Sequence, residues 1–147
     1  MNLAVALLAD SAIANPQDGK LYVLGGGISW IGAPSFPAVH PAIALALNFL
    51  FAPSECGRPH TVEVRLLDPD GREIVPAFTQ QFVPPKNPTD PTLPSGWVNV
   101  CSYIQLRFEK PGDNAFSIML DGQEVASLPL RLIQIPSLAG MAAQPEA

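Results

Sequence analysis

Apolar residues in this 147-residue chain arrive in short bursts of two kinds, and both read as β-strand rather than helix. The first kind alternates. Val62, Val64 and Leu66 take every second place between Thr61, Glu63 and Arg65, the period-two pattern of a strand with one packed and one wet face. Phe116, Ile118 and Leu120 repeat it, and Ile104, Leu106 and Phe108 are expected to share one face of a strand over Trp97–Phe108. The second kind is continuous. Leu3–Ala9 and Ile43–Phe51 are apolar at nearly every position, which predicts strands covered on both faces. Ala12–Ala14 extends the first, Lys20–Leu24 returns as the second arm of a hairpin, Arg72–Val75 and Ala77–Val83 add short pieces, and Val125–Ile135 closes a sheet.

Turn chemistry separates these bursts. Asn15-Pro16-Gln17-Asp18-Gly19, Asp68-Pro69-Asp70-Gly71, Lys110–Asp113 and Asp121-Gly122 all carry the residues that tight turns need. The chain also holds 17 prolines, and its longest proline-free stretches, Gln17–Ala33 and Gly112–Leu128, both contain glycines. A proline inside a helix costs about 3 kcal/mol, so long helices are excluded. Gly25, Gly26 and Gly27 predict a bulge or bend that aims Trp30 back at the core. Ile31–Ala42 is expected to cross between sheets as a loop, Ala52–Pro59 to form a loop holding Cys56, and Pro84–Gly96 to be the longest irregular segment. These elements predict an all-β fold, a two-layer antiparallel β-sandwich of about eight short strands with immunoglobulin-like connections. The expected domain spans residues 1–135, with a flexible C-terminal tail over 136–147; a closed barrel is the structural alternative.

Composition sharpens the picture. Apolar residues make up 48% of the chain and charged residues 14%, so little charge is available to cover the exterior, and some apolar surface is expected to face a partner. The net charge of −5, with no cluster of Lys or Arg, argues against nucleic acid as a ligand. The opening Met1–Asp10 has no basic residue before its apolar stretch, unlike a secretory signal, and no apolar run reaches the roughly 18 residues of a membrane helix. A cytoplasmic protein without membrane contact is the expectation. In that compartment Cys56 and Cys101 should be two unpaired thiols, a bridge between the sheets being the alternative.

Several segments together bring a resemblance into view. Leu-Leu-Ala-Asp at 7–10, Asp-Gly-Lys at 18–20, Phe-Pro-Ala-Val-His-Pro at 36–41 and Arg-Leu-Leu-Asp-Pro-Asp-Gly at 65–71 lead to Arg-Phe-Glu-Lys-Pro-Gly at 107–112, Leu-Asp-Gly at 120–122 and Leu-Pro-Leu at 128–130. Over roughly residues 1–135 the chain resembles an uncharacterised family of small bacterial proteins. That resemblance implies no activity and no catalytic residues. The closing segments are also similar to those of many immunoglobulin-like modules, which bears on the fold alone.

Candidate chemistry is sparse. A zinc site wants four ligands at paired short spacings, whereas Cys56, Cys101, His40 and His60 share no motif. Ser35 near His40 and Cys56 near His60 are the available nucleophile–base pairs, and neither sits in a nucleophile-elbow pattern. Asp10, Asp68, Asp70 and Asp121 would hold calcium if they met at one end of a sandwich, but turn chemistry accounts for the same aspartates. The triple glycine lacks the Lys-Ser/Thr ending of a phosphate-binding loop. No cofactor and no metal is therefore expected. Trp30, Phe36, His40 and Trp97, all near proline-rich loops, are the candidate partner-contact residues, against the competing reading that the aromatics plug the ends of the sandwich.

The expected function is a non-enzymatic binding or structural module acting through loops or a sheet edge on a protein partner or a second copy. The alternatives are a small-molecule binder with an apolar pocket between the sheets and a hydrolase using His40 or His60.

Overall fold

The computed structural model describes residues 1–15 and 17–136, and 87 of those 135 residues lie in strands. There are nine: β1 (Asn2–Asn15), β2 (Lys20–Gly26), β3 (Trp30–Ala33), β4 (Ala38–Phe51), β5 (His60–Leu67), β6 (Phe78–Phe82), β7 (Ser95–Phe108), β8 (Gly112–Leu120) and β9 (Gln123–Gln134). A single 3-10 turn, Pro53–Glu55, follows β4. The strands form two sheets, one ordered β2-β1-β4-β7 and the other β3-β9-β8-β5-β6. The chain is an all-β sandwich. Of the tail expected over 136–147, residues 137–147 lie outside the described residues.

Local sequence explains much of this. Asp121 (φ 51°) and Gly122 (φ 83°) both take left-handed backbone, the two-residue turn whose twist matches a hairpin, here joining β8 to β9. The two prolines inside long strands sit where a ladder is one-sided. Pro41 precedes Ala44, where pairing of β4 with β1 begins, and Pro129 precedes Arg131, where pairing of β9 with β3 begins. Neither needs the N–H it lacks for a second neighbour.

The core lies between the sheets. Leu8, Ile43, Leu45, Leu47, Phe49 and Phe51 come from the four-stranded sheet; Val62, Val64, Leu66, Phe116, Ile118, Leu130 and Leu132 come from the five-stranded one, and all are fully buried. Trp97 joins the layers at one end. Its ring stacks on Phe82 of β6 at 3.8 Å and 8° and lies 6.1 Å from Phe49 of β4.

Four local expectations are corrected. Ile31–Ala42 is not one loop: Trp30–Ala33 forms β3 and pairs in parallel with Arg131–Gln134, and β4 already starts at Ala38. Trp30 is not aimed at the core but stands 49% exposed on that edge strand. Ser95 and Gly96, expected in the irregular segment, already belong to β7. Within β7, Leu106 and Phe108 are buried whereas Ile104 is 74% exposed. Gln105, with φ 52°, interrupts the extended backbone between them and exchanges the inward and outward faces.

Candidate functional site

Trp30, Phe36 and His40 lie toward one end of the sandwich. Phe36 packs against the core, and His40 lines a cleft of about 330 Å³ with Ser35, Pro37 and Phe108. Trp97 pairs opposite Phe49, nine residues from His40 along β4, which at about 3.4 Å per residue is roughly 30 Å away. The four candidates do not form one surface. Trp97 is held in the inter-sheet aromatic cluster, so of this set only Trp30 presents a largely exposed ring.

The histidines fare differently. His40 faces a cleft whose lining includes Ser35 but no carboxylate, so nothing there would orient the ring as a general base. His60 has both ring nitrogens engaged. Its Nδ1 lies 2.7 Å from Asp121 Oδ2, its Nε2 lies 2.9 Å from the Glu55 carbonyl oxygen, and its ring centroid is 4.8 Å from that of Phe51. A carbonyl oxygen only accepts, so Nε2 carries a proton, and the carboxylate favours a second proton on Nδ1. Burial opposes the charged ring, but the Asp121 and Glu55 contacts outweigh it and leave His60 above its ordinary pKa. Asp121 is pushed up by burial and pulled down further by His60 and by the Thr61 amide, ending below its ordinary value. This pair ties the β8–β9 turn to the start of β5.

The two cysteines are free and buried. Cys56 Sγ lies 3.4 Å from the Ala52 carbonyl oxygen, and burial pushes the Cys101 thiol up to about 12, which leaves it inert as a nucleophile. The four aspartates stay apart: Asp68 and Asp70 share the turn after β5, while Asp121 bonds the Thr61 amide at that strand's start. No described residues form a group of three or more potential metal ligands. At the triple glycine, the amides of Gly27 and Ile28 both donate to the Leu8 carbonyl, so they face the chain itself, and Gly25 packs against the Asp10 carboxylate, which would repel an anion.

What the candidate residues missed is the outer face of the four-stranded sheet. Leu8, Leu45 and Cys101 point into the core, so the alternate residues of the same strands point away from it. Cross-strand register places Gly26, Ala9, Ala44 and Ser102 in one row across all four strands. Leu7, Ala46 and Val100 form the next row toward one end, and Val5, Asn48 and Val98 the row after it. On the other side of the small row stand Leu24 opposite Ser11, Tyr22 opposite Ile13, and Ile104 opposite Ala42. No charged side chain occupies these rows. Leu24 is 72% exposed, Ile13 64% and Ile104 74%, and Tyr22 is held at the rim by a hydrogen bond from its hydroxyl to Asp18. The available signal was the continuous apolar character of Leu3–Ala9 and Ile43–Phe51. It predicted cover on two faces, and the outward-pointing Ala9, Ala44 and Ala46 are buried at 0%, 3% and 0% exposure, while Ile13, Leu24 and Ile104 nearer the rim stay exposed.

The geometry defines an all-β sandwich of nine strands among the described residues, with exposed aliphatic side chains at Ile13, Leu24 and Ile104 on the outer side of the four-stranded sheet. Within that class, the chain belongs to a family of unknown function, DUF6941, whose sequence pattern matches residues 4–133. No curated protein matches it. Among solved structures, a Pseudomonas fluorescens alkylpurine DNA glycosylase, AlkC, bound to DNA containing an abasic site analog, is similar over 71% of this chain and 28% of that one, with 12% identity and a TM-score of 0.40. The chain thus spans under a third of that structure's length, and a match this weak carries no argument about function.

Proposed function

We propose that this protein is a non-enzymatic binding module whose contact surface is the outer face of the four-stranded sheet, and that a protein surface covers it. The observation that carries the reading is the set of aliphatic side chains Ile13, Leu24 and Ile104 on the outer side of this sheet, each more than 60% exposed and with no charged side chain in their rows. Contiguous apolar surface of this kind marks interaction sites on soluble domains. Loops and edges contribute less to the reading, since Trp97 is consumed by internal packing. The immunoglobulin-like reading is supported by β4 and β7 lying side by side in one sheet and β9-β8-β5 in the other, as strands B–E and G-F-C do in that fold.

The test is affinity capture from the native source with wild-type protein and with a Leu24→Glu/Ile104→Glu double variant. Both side chains are exposed, so the variant should fold as wild type does. The reading requires that self-association or a captured protein be lost in the variant. It fails if every association survives.

A further inference from the structure

We propose that a second site, separate from the outer sheet face, binds a free α-amino acid with an apolar side chain. It is a cleft of about 300 Å³ at one end of the sandwich, between the turn that follows β5 and the turn that joins β7 to β8. The two turns hold each other in place. Gly112 lies so close to Pro69 that a Cβ there would fall 2.9 Å from the proline ring, and Lys110 Nζ lies 3.3 Å from Asp70 Oδ2. Asp68 Oδ1 accepts from the amides of Asp70 and Arg72, both at 2.9 Å, so the first turn keeps its shape without a ligand.

Charge in the cleft is balanced, and all but one ion of each sign is committed. Arg72, Arg107 and Lys110 line it together with Asp68, Glu73 and Glu109. Arg107 pairs with Glu109 at 2.8 Å, Lys110 with Asp70, and Glu73 with Arg65 at 3.6 Å. Asp68 and Arg72 remain. Among the described residues neither has an ion partner within 4.0 Å, not even the other, and neither Asp68 Oδ2 nor the Arg72 guanidinium makes a hydrogen bond. Asn114 lines the same cleft while only 4% exposed. Its Nδ2 donates to the Gly112 carbonyl oxygen at 3.2 Å, which fixes the orientation of the amide and leaves Oδ1 without a partner among the described residues. A nearly buried acceptor of this kind is completed by what enters the cleft.

These three unfilled groups set the chemistry of the ligand. An α-ammonium satisfies Asp68 Oδ2 and Asn114 Oδ1, which only accept, and an α-carboxylate takes the planar fork of Arg72. A zwitterion supplies both and leaves the charge balance of the cleft unchanged, whereas an anion or a cation alone leaves Asp68 or Arg72 unpaired. Half-buried Ile74 and exposed Pro69 are apolar walls for the side chain, with Phe108 closing the base. The volume lies at the lower limit of small-molecule pockets, which suits one amino acid better than a peptide.

Nuclear magnetic resonance titration of the full chain with L-leucine and L-phenylalanine tests this. Backbone amide signals of residues 68–74 and 110–114 should move saturably. The N-acetyl derivatives, which lack the ammonium, and the matching amines, which lack the carboxylate, should each bind at least tenfold more weakly. Arg72→Gln, at an exposed side chain with no bond to lose, should weaken the amino acids at least tenfold and leave the amines unchanged. Asp68→Asn keeps an oxygen for the turn amides; it should weaken amino acids and amines at least tenfold and leave the N-acetyl derivatives unchanged. The proposal falls if neither amino acid gives saturable shifts up to tens of millimolar, if the shifts lie only in other parts of the chain, or if the derivatives bind as tightly as the amino acids. It falls equally if either substitution leaves amino-acid affinity unchanged in a protein whose circular dichroism matches wild type.

Discussion

Replacing Asp121 with asparagine should remove a specific part of the protein's pH dependence. Wild-type His60 is held above its ordinary pKa by Asp121 and the Glu55 carbonyl, despite burial that works against its charge. A group whose folded pKa exceeds its unfolded value, about 6.5 for histidine, stabilises fully below that pH, and the contribution is lost as pH rises through the folded pKa. A charge-assisted hydrogen bond contributes about 1.5–3 kcal/mol when buried. Here the Asp121 side chain is half-exposed, so solvent screening reduces the figure to about 1 kcal/mol. Asparagine keeps an oxygen for the Thr61 amide and tolerates the left-handed backbone at position 121, but it cannot favour an imidazolium. Urea unfolding at intervals from mildly acidic to mildly alkaline pH should therefore show wild-type stability falling by about 1 kcal/mol, or about 2–4 °C in melting temperature, over a window opening near pH 6.5. Asp121→Asn should retain less than half of that slope. The ion pair between Met1 and Glu55 is present in both proteins, so the difference isolates His60. Equal slopes, or a wild type whose stability rises with pH through this window, would refute the assignment.

Two further outcomes follow from the packing. Trp97→Ala removes a ring stacked on Phe82 between the sheets and should cost about 3–5 kcal/mol in chemical denaturation, whereas Trp30→Ala on the edge strand should cost under about 1 kcal/mol; comparable losses would contradict the inter-sheet role of Trp97. A Cβ on Gly25 would fall 2.2 Å from Asp10 Oδ2, while one on Gly19 meets nothing, although both glycines have left-handed φ near 65°. Gly25→Ala should thus be more destabilising than Gly19→Ala, whose cost is the backbone term of about 1 kcal/mol, and Asp10→Ala should recover most of the excess in thermal melts.

How far the fold could be read from sequence depended on how far apart the deciding atoms are. The alternation at Val62, Val64 and Leu66 gave β5, and Asp121-Gly122 gave the β8–β9 turn, because strand period and turn geometry are decided within a few residues. The parallel pairing of β3 with β9 joins segments about a hundred residues apart, and nothing local in Trp30–Ala33 announces it. Ile104 was expected to share a face with Leu106 and Phe108, and the left-handed Gln105 between them separates it from both. Among site candidates, His40 and Ser35 do line one cleft, as their proximity in the chain suggested, whereas Trp97 lies at the far end in an aromatic cluster.

The chain's own residues determined that it would be short strands divided by proline and glycine, and that β1 and β4 would be apolar on both sides, since backbone sterics and side-chain alternation act locally. Tertiary structure alone decided which of those sides the second sheet would cover. Packing β1 and β4 onto the five-stranded sheet uses one face of each strand, and the opposite faces are brought together by cross-strand register into a single uncharged surface. That surface comes from strands distant in sequence, and so does the row of Gly26, Ala9, Ala44 and Ser102, because a sheet assembles its faces from pairing partners rather than from neighbours along the chain.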